Sequence, residues 1–183
     1  MMDQEIVKNH SKIKEDIIKA CESCNRNPNT VNLTAICKRQ PIDKVTDAMK
    51  LGISNFGENR IQDAQLRWLQ LERKKTKLNF VGPLQSNKAE EAVKLFDSIE
   101  TVDRDKIAKH LSISENKLAR KIEYMIQVNT GEEKQKSGIL PMEADDFIQR
   151  CQKHHGLNIV GLMCIPPAKE NPALHFAFLK ELS

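Results

Sequence analysis

The sequence predicts an α/β fold in which parallel strands are joined by crossover helices. Short apolar runs of strand length alternate with segments of helical period along the chain. The alternation recurs at intervals of roughly 20 to 35 residues, the spacing of βα units. Polar residues collect where each apolar run ends, and in such folds the C-terminal ends of strands are where ligands bind.

The elements follow in order. Ile6, Ile13, Ile17, Ala20 and Cys21 recur at helical spacing, so about Asp3 to Cys24 is an amphipathic helix, closed by the turn-forming cluster Asn25 to Asn29. Leu33 to Ile36 is a short first strand, and Arg39, Gln40 and Pro41 close it off. Ile42, Val45, Ala48 and Met49 mark a short helix, with Asp43 in its first turn and Gly52 at its end. Ile53 to Phe56 is the second strand, and Ile61, Ala64, Trp68 and Leu71 mark the next helix. Leu78 to Val81 is the third strand, followed by Gly82 to Lys88 and a short helix carrying Ala89, Ala92, Val93 and Phe96.

Asp97 to Val102 is a weaker fourth strand, with Ile107, Ala108 and Leu111 on its helix. Ile122 to Val128 is the fifth, followed by the polar loop Asn129 to Gly138. Pro141 suits the first position of a helix bearing Phe147, Ile148 and Cys151. Leu157 to Ile165 is the sixth strand, and Pro172 opens a last helix with Leu174, Phe178 and Leu182.

An open doubly wound sheet and a TIM-type (β/α) barrel both fit this pattern. Neither a GxGxxG after the first strand nor a GxxxxGK[ST] occurs, which favours the barrel. Six βα units are present where a closed barrel has eight. The expectation is a single domain over residues 1–183, incomplete at its C-terminus by the last two strands, with residues 1–27 as a helix packed on it.

With 183 residues, 39% hydrophobic and 30% charged, the composition is that of an ordinary globular domain. A net charge of +4 permits an anionic small molecule. With 4% aromatics it gives no case for nucleic acid. The densest basic run, Arg73, Lys74, Lys75 and Lys77, reads as a solvated loop. The N-terminus is charged throughout, and no apolar run approaches the roughly 20 residues of a membrane span. A cytoplasmic protein, monomeric or weakly dimeric, is expected. Five cysteines suit reduced, mostly buried thiols. Cys21 and Cys24 form a CxxC, but no second pair completes a metal site.

The residue of most chemical interest is Lys38, an amine at the end of the first strand. Strand parity places Thr34, Ile36 and Lys38 on one face and Leu33, Ala35 and Cys37 on the other. If the all-apolar face packs on helices, Lys38 points into the barrel mouth. There it loses hydration, which favours the neutral, nucleophilic amine and Schiff-base chemistry with a carbonyl compound. A rim lysine that merely snorkels to solvent is the plainer alternative. Other polar residues at strand ends are Glu58, Asn59, Gln85, Asn87, Lys88, Asn129 and Ser137, together with Gly138 and Met163. His154 and His155 lie near a helix end without partners for a metal site. Parity makes Tyr124 a packing residue facing helices.

Five motifs occur in a fixed order: LTAICKRQP, NFGENRIQD, NFVGPLQSNK, IQVNTGEEKQKSG and IVGLMCIPP. Together they resemble the pyridoxal-phosphate homeostasis protein family (YggS/PROSC type), over nearly the whole chain from the first strand onward. The resemblance implies the barrel of the alanine racemase N-terminal domain, with pyridoxal 5′-phosphate (PLP) held as a Schiff base on Lys38. It implies that Asn59 and Met163 line the cofactor ring, with Asn87 and Lys88 nearby, and that Lys136 matches a second lysine of the site region. It assigns no catalytic residue and no metal.

Two local departures are Cys37, where the family has a small residue such as serine, and Gln40, where it often has a second lysine. The family continues into two further strands that grip the phosphate; this sequence carries neither motif. The function implied is non-catalytic PLP binding in vitamin B6 and amino-acid homeostasis. A weak PLP-dependent amino-acid racemase, and a remnant that no longer binds PLP well, are the alternatives.

Overall fold

The computed structural model describes residues 2–73 and 75–183. The N-terminal helix α1 (Gln4–Ser23) precedes β1 (Thr34–Ile36), α2 (Ile42–Lys50), β2 (Asn55–Glu58), α3 (Ile61–Trp68) and β3 (Lys77–Phe80). Then come α4 (Ala89–Leu95), β4 (Ser98–Val102), α5 (Asp105–Leu118), β5 (Glu123–Gln127), α6 (Ala144–Lys153), β6 (Asn158–Met163) and α7 (Pro172–Glu181). The six strands form one parallel sheet in sequence order, β1 to β6. Right-handed βαβ crossovers lead naturally to such an order, and β1 and β6 are its edges.

The core lies between sheet and helices. Phe56, Leu78, Phe80, Ile99, Tyr124 and Ile126 alternate along the strands and are all buried. They meet Ala64, Trp68, Ala92, Val93, Ile107, Leu111, Phe147 and Cys151 from α3 to α6. Phe56 stands edge-on to Trp68 with ring centroids 5.2 Å apart, and Phe80 lies 5.0 Å from Phe96. Each large side chain so buried contributes roughly 1.5–3 kcal/mol. Tyr124 faces the helices, as parity predicts, and its surroundings push its hydroxyl far up, by burial first and Glu115 second.

The other face of the strands is polar for a barrel interior. Register aligns Asn55 with Lys77, and Asn79 with Ser98 and then Glu123. Ser98 donates to the Asn79 side chain at 2.9 Å, and Lys77 pairs with Glu123 across the strands. The basic run is therefore more than a solvated loop. Arg73 pairs with Asp97 and donates to the Leu95 carbonyl, Lys75 is exposed, and Lys74 lies outside the described residues. Asp97, just before β4, and Glu123 of β5 draw these cations in, and sequence distance conceals that pairing.

Helix α1 differs from expectation in packing. Its spacing is amphipathic, yet Cys21 is its only buried residue and Ile13 remains 42% exposed. The helix is tied at its start, where the Asp3 backbone N–H donates to Asp47 at 2.9 Å. Between its ends, Ile6 and Ile13 face a cavity of about 380 Å3 shared with Ala35, Val45 and Phe56. At the other end of the chain, α7 is docked by buried His175. Its Nδ1 lies 3.0 Å from Thr130 Oγ1 and its Nε2 3.1 Å from Glu170 Oε2. Losing this bridge leaves Thr130 without its partner and a void under α7, while exposed Glu170 regains water, so His175→Ala is expected to cost about 1–2 kcal/mol. That corresponds to a fall in Tm of about 3–6 °C in a thermal melt.

The thiols follow burial. Cys37 and Cys151 are both pushed up to about 12, in each case by desolvation first and a nearby carboxylate second, Glu58 or Asp105. All five cysteines are free, and Cys24, at the end of α1, is exposed. In the native protein at pH 8, an aromatic disulfide reagent is expected to modify Cys24 and to spare Cys37 and Cys151. Unfolding in denaturant should expose both, and peptide mass spectrometry reads the difference.

Candidate site at the C-terminal rim of the sheet

β1 ends at Ile36, and the chain then turns. The Cys37 N–H donates to the Gly57 carbonyl at 2.8 Å, continuing the ladder for one residue. The Gln40 N–H donates back to the Cys37 carbonyl at 3.0 Å, closing a four-residue turn. Arg39, its third residue, has φ +60°, the left-handed conformation that a type II turn demands and that costs a side-chain-bearing residue energy. Lys38 sits in this turn, exposed. The desolvated lysine predicted above is therefore not observed: the strand ends two residues before it, and the turn lifts its side chain into water.

Asn59 occupies the equivalent place after β2. Register pairs Ile36 with Gly57, so Lys38 and Asn59 extend neighbouring strands from equivalent rungs. Gly82, after β3, presses on the Asn59 backbone. A Cβ built at Gly82 would overlap the Asn59 carbonyl oxygen and lie 2.7 Å from its carbonyl carbon and Cα. Asn59 is thus held between two strand ends. It also borders a depression of about 520 Å3 lined by Arg60, Gln85, Lys88 and Arg104. Lys88 is paired with Glu91 at 2.7 Å, and Arg104 donates to the Leu84 carbonyl at 2.8 Å. Asn87 lies exposed in the same turn as Lys88.

The remaining predicted residues gather at the far end of the sheet. Met163 closes β6 and shares the inner face with Gln127, its register partner. Lys136 belongs to the loop after β5, pairs with Glu133 at 2.6 Å and donates to the Pro166 carbonyl at 3.3 Å. Asn129 shapes this loop, donating to the Glu133 carbonyl at 2.9 Å and accepting from its N–H. Gly138 closes the loop with φ +113°, where a Cβ would come within 2.7 Å of the Asn129 nitrogen. The structure thus places the six residues in two groups on one rim: Lys38, Asn59, Asn87 and Lys88 beside β1 to β3, Met163 and Lys136 beside β5 and β6.

Glu58 departs from its expected place. It is fully buried and faces α3, because it shares parity with Phe56 while Gly57 and Asn59 take the inner face. Its Oε1 accepts from Trp68 Nε1 at 3.1 Å and pairs with Arg67, whose other arm donates to the Gln40 carbonyl at 2.9 Å. Parity with Phe56 is a signal that locates Glu58. Nothing in the order of residues announces Arg67.

Comparison with known proteins bears on the family and the fold. Residues 25–182 match the family model described as alanine racemase, N-terminal domain. The pyridoxal phosphate homeostasis protein of Haemophilus influenzae is 35% identical over 163 residues, 88% of this chain and 69% of that protein. The chain belongs to the pyridoxal phosphate homeostasis protein family. The structure of PipY from Synechococcus elongatus with PLP bound, 27% identical, superposes with a TM-score of 0.74 over 92% of this chain and 81% of that one. An alanine racemase of Clostridium difficile 630 shares the fold alone, with a TM-score of 0.70 at 11% identity over 93% of this chain and 46% of its own.

The PipY and alanine racemase structures thus share the fold of this chain over most of its length. The donor set along the rim, a primary amine level with the Asn59 amide and a thioether at the β6 end of the sheet, suits the chemistry of an aldehyde-bearing aromatic cofactor. Among the described residues no group of His, Cys, Asp and Glu is placed to hold a metal ion. Nor is any helix long and apolar enough to cross a membrane.

Proposed function

We propose that this chain binds PLP through Lys38 and serves vitamin B6 and amino-acid homeostasis as a carrier rather than a catalyst. The observation that carries the reading is the position of Lys38: an exposed amine in an ordered turn, level with Asn59 on the neighbouring strand's extension, in a family with a member solved with PLP bound. When bound, PLP supplies an aldehyde that condenses with a lysine amine and a ring that absorbs visible light. Lys38 supplies the amine. Asn59, held by Gly82, offers a fixed amide beside it. Met163, on the inner face at the end of β6, presents an apolar thioether suited to a flat ring. Asn87, Lys88 and Lys136 add polar and cationic groups along the same rim.

The non-catalytic part of the reading rests on acid–base chemistry. Racemisation needs a second proton-transfer group across the cofactor from the lysine. The one tyrosine of the sequence, Tyr124, is buried on the opposite, helix-facing side of the sheet. A cytoplasmic monomer or weak dimer goes with this reading, and the free thiols support a reducing compartment.

Titrating the purified protein with PLP tests the binding, with saturable visible absorbance as the expected result. Absence of that absorbance in excess PLP would overturn it. Incubating the PLP-loaded protein with L-amino acids in heavy water tests the second part. Retention of the α-proton across the panel is expected; exchange would overturn the non-catalytic reading, and exchange with formation of the D-enantiomer would establish the racemase reading instead.

A further inference from the structure

The geometry points to Arg67 as the residue that positions Lys38. This inference rests on the reading of Lys38 as the cofactor lysine. It starts from an anomaly in the core. Glu58 projects from β2 into the otherwise apolar layer between sheet and helices, fully buried beside Phe56, Trp68 and Cys37. Burying a carboxylate there is costly, and an apolar residue of similar size would fill the space more cheaply. Its partners give it a purpose. Glu58 Oε1 binds both Trp68 Nε1, at 3.1 Å, and Arg67, whose side chain is only 12% exposed. So held, the guanidinium has one direction left for its second arm, and it donates to the Gln40 carbonyl at 2.9 Å.

Gln40 is the last residue of the Lys38 turn. The first, Cys37, is fixed by its buried side chain and by its N–H on Gly57. Arg67 fixes the other end, from α3 and across 27 positions of sequence. Between these anchors lie Lys38 and Arg39, both exposed, the latter in a left-handed conformation that relaxes if one end is released. Arginine suits this task because its two arms reach a carboxylate and a carbonyl that stand apart, whereas the three N–H groups of a lysine radiate from one nitrogen and span less. Glu58 and Arg67 thus make a strut from the core to the turn that carries the amine.

Arg67→Lys tests this, since it keeps a cation beside Glu58 and gives up the second arm; Arg67→Met removes both. Amide hydrogen exchange of residues 38–40 and PLP titration are read on the same 183-residue chain. In Arg67→Lys, the Gln40 amide should exchange about tenfold faster while the amides of β2 and β3 hold their protection. PLP binding should weaken by about tenfold, the effect of losing one charge-assisted hydrogen bond. Unchanged exchange in the turn overturns the inference whatever the absorbance does. Faster exchange with unchanged PLP affinity overturns it as well, because a loosened turn would then not matter to the ligand. Wild-type protein without a PLP band removes the binding reading, and the exchange arm still decides whether Arg67 holds the turn. If Arg67→Met fails to fold, Arg67→Lys alone carries the comparison.

Discussion

Lys38→Ala is expected to abolish the visible absorbance of PLP-treated protein while leaving its thermal stability nearly unchanged. Both halves follow from where the residue sits. Lys38 is exposed in a turn whose closure uses backbone groups of Cys37 and Gln40. Truncating such a side chain alters stability by only about 0.5 kcal/mol or less. The loss of absorbance can then be assigned to the missing amine and not to unfolding. If the band survives, Lys136 is the other lysine to test. It stands across the rim, engaged with Glu133 and the Pro166 carbonyl, and must leave those partners to react. Borohydride reduction followed by peptide mass spectrometry identifies the modified lysine directly.

Gly82→Ala should have the opposite profile, a large loss of stability without any change in the chemistry of the lysine. The added methyl group meets backbone and not a movable side-chain end: the carbonyl oxygen, carbonyl carbon and Cα of Asn59. The adjoining ladder leaves little room for relief, because the Val81 N–H donates to the Glu58 carbonyl at 2.8 Å and the Gly82 carbonyl accepts from buried Thr101 at 2.6 Å. Overpacking against fixed backbone costs about 3 kcal/mol or more. For a chain of this size that lowers Tm by about 6–12 °C, measurable by calorimetry. Asn59 must shift to accept the methyl group. PLP affinity of the folded fraction should therefore fall too, and unchanged affinity would show that Asn59 is dispensable.

The alternation of strands and helices was legible in the sequence because period and turn chemistry are local properties. Among the described residues, each of the six strands and seven α-helices arises where apolar spacing and Gly, Pro or Asn punctuation place it, with ends moved by a few residues. α3 stops at Trp68, three residues short of Leu71, α6 begins at Ala144 after a 3-10 turn that Pro141 opens, and β2 lies two residues later than expected. β6 stops at Met163 although the apolar run continues to Ile165; Pro166 and Pro167 follow, and neither can donate to a ladder. Parity within strands was equally readable. It separates Phe56 and Glu58 from Gly57 and Asn59, and it sends Tyr124 toward the helices.

Other features depended on contacts between residues far apart in the chain. The exposure of Lys38 depends on where the ladder to β2 ends, and so on a partner strand and not on its own neighbours. Arg67 reaches Gln40, His175 reaches Thr130 and Asp3 meets Asp47, none at a spacing that a helix or strand would reveal. α1 shows the same limit from the other side, since a correct amphipathic pattern did not determine how closely the helix would pack. By itself the sequence determined the βα repeat, the faces of the strands and the lysine at the end of the first one, through backbone periodicity and side-chain alternation. The tertiary structure decided that this lysine stands in water on a turn, with its far end anchored by Arg67. Hydrogen bonds between distant segments form only once packing has brought those segments together.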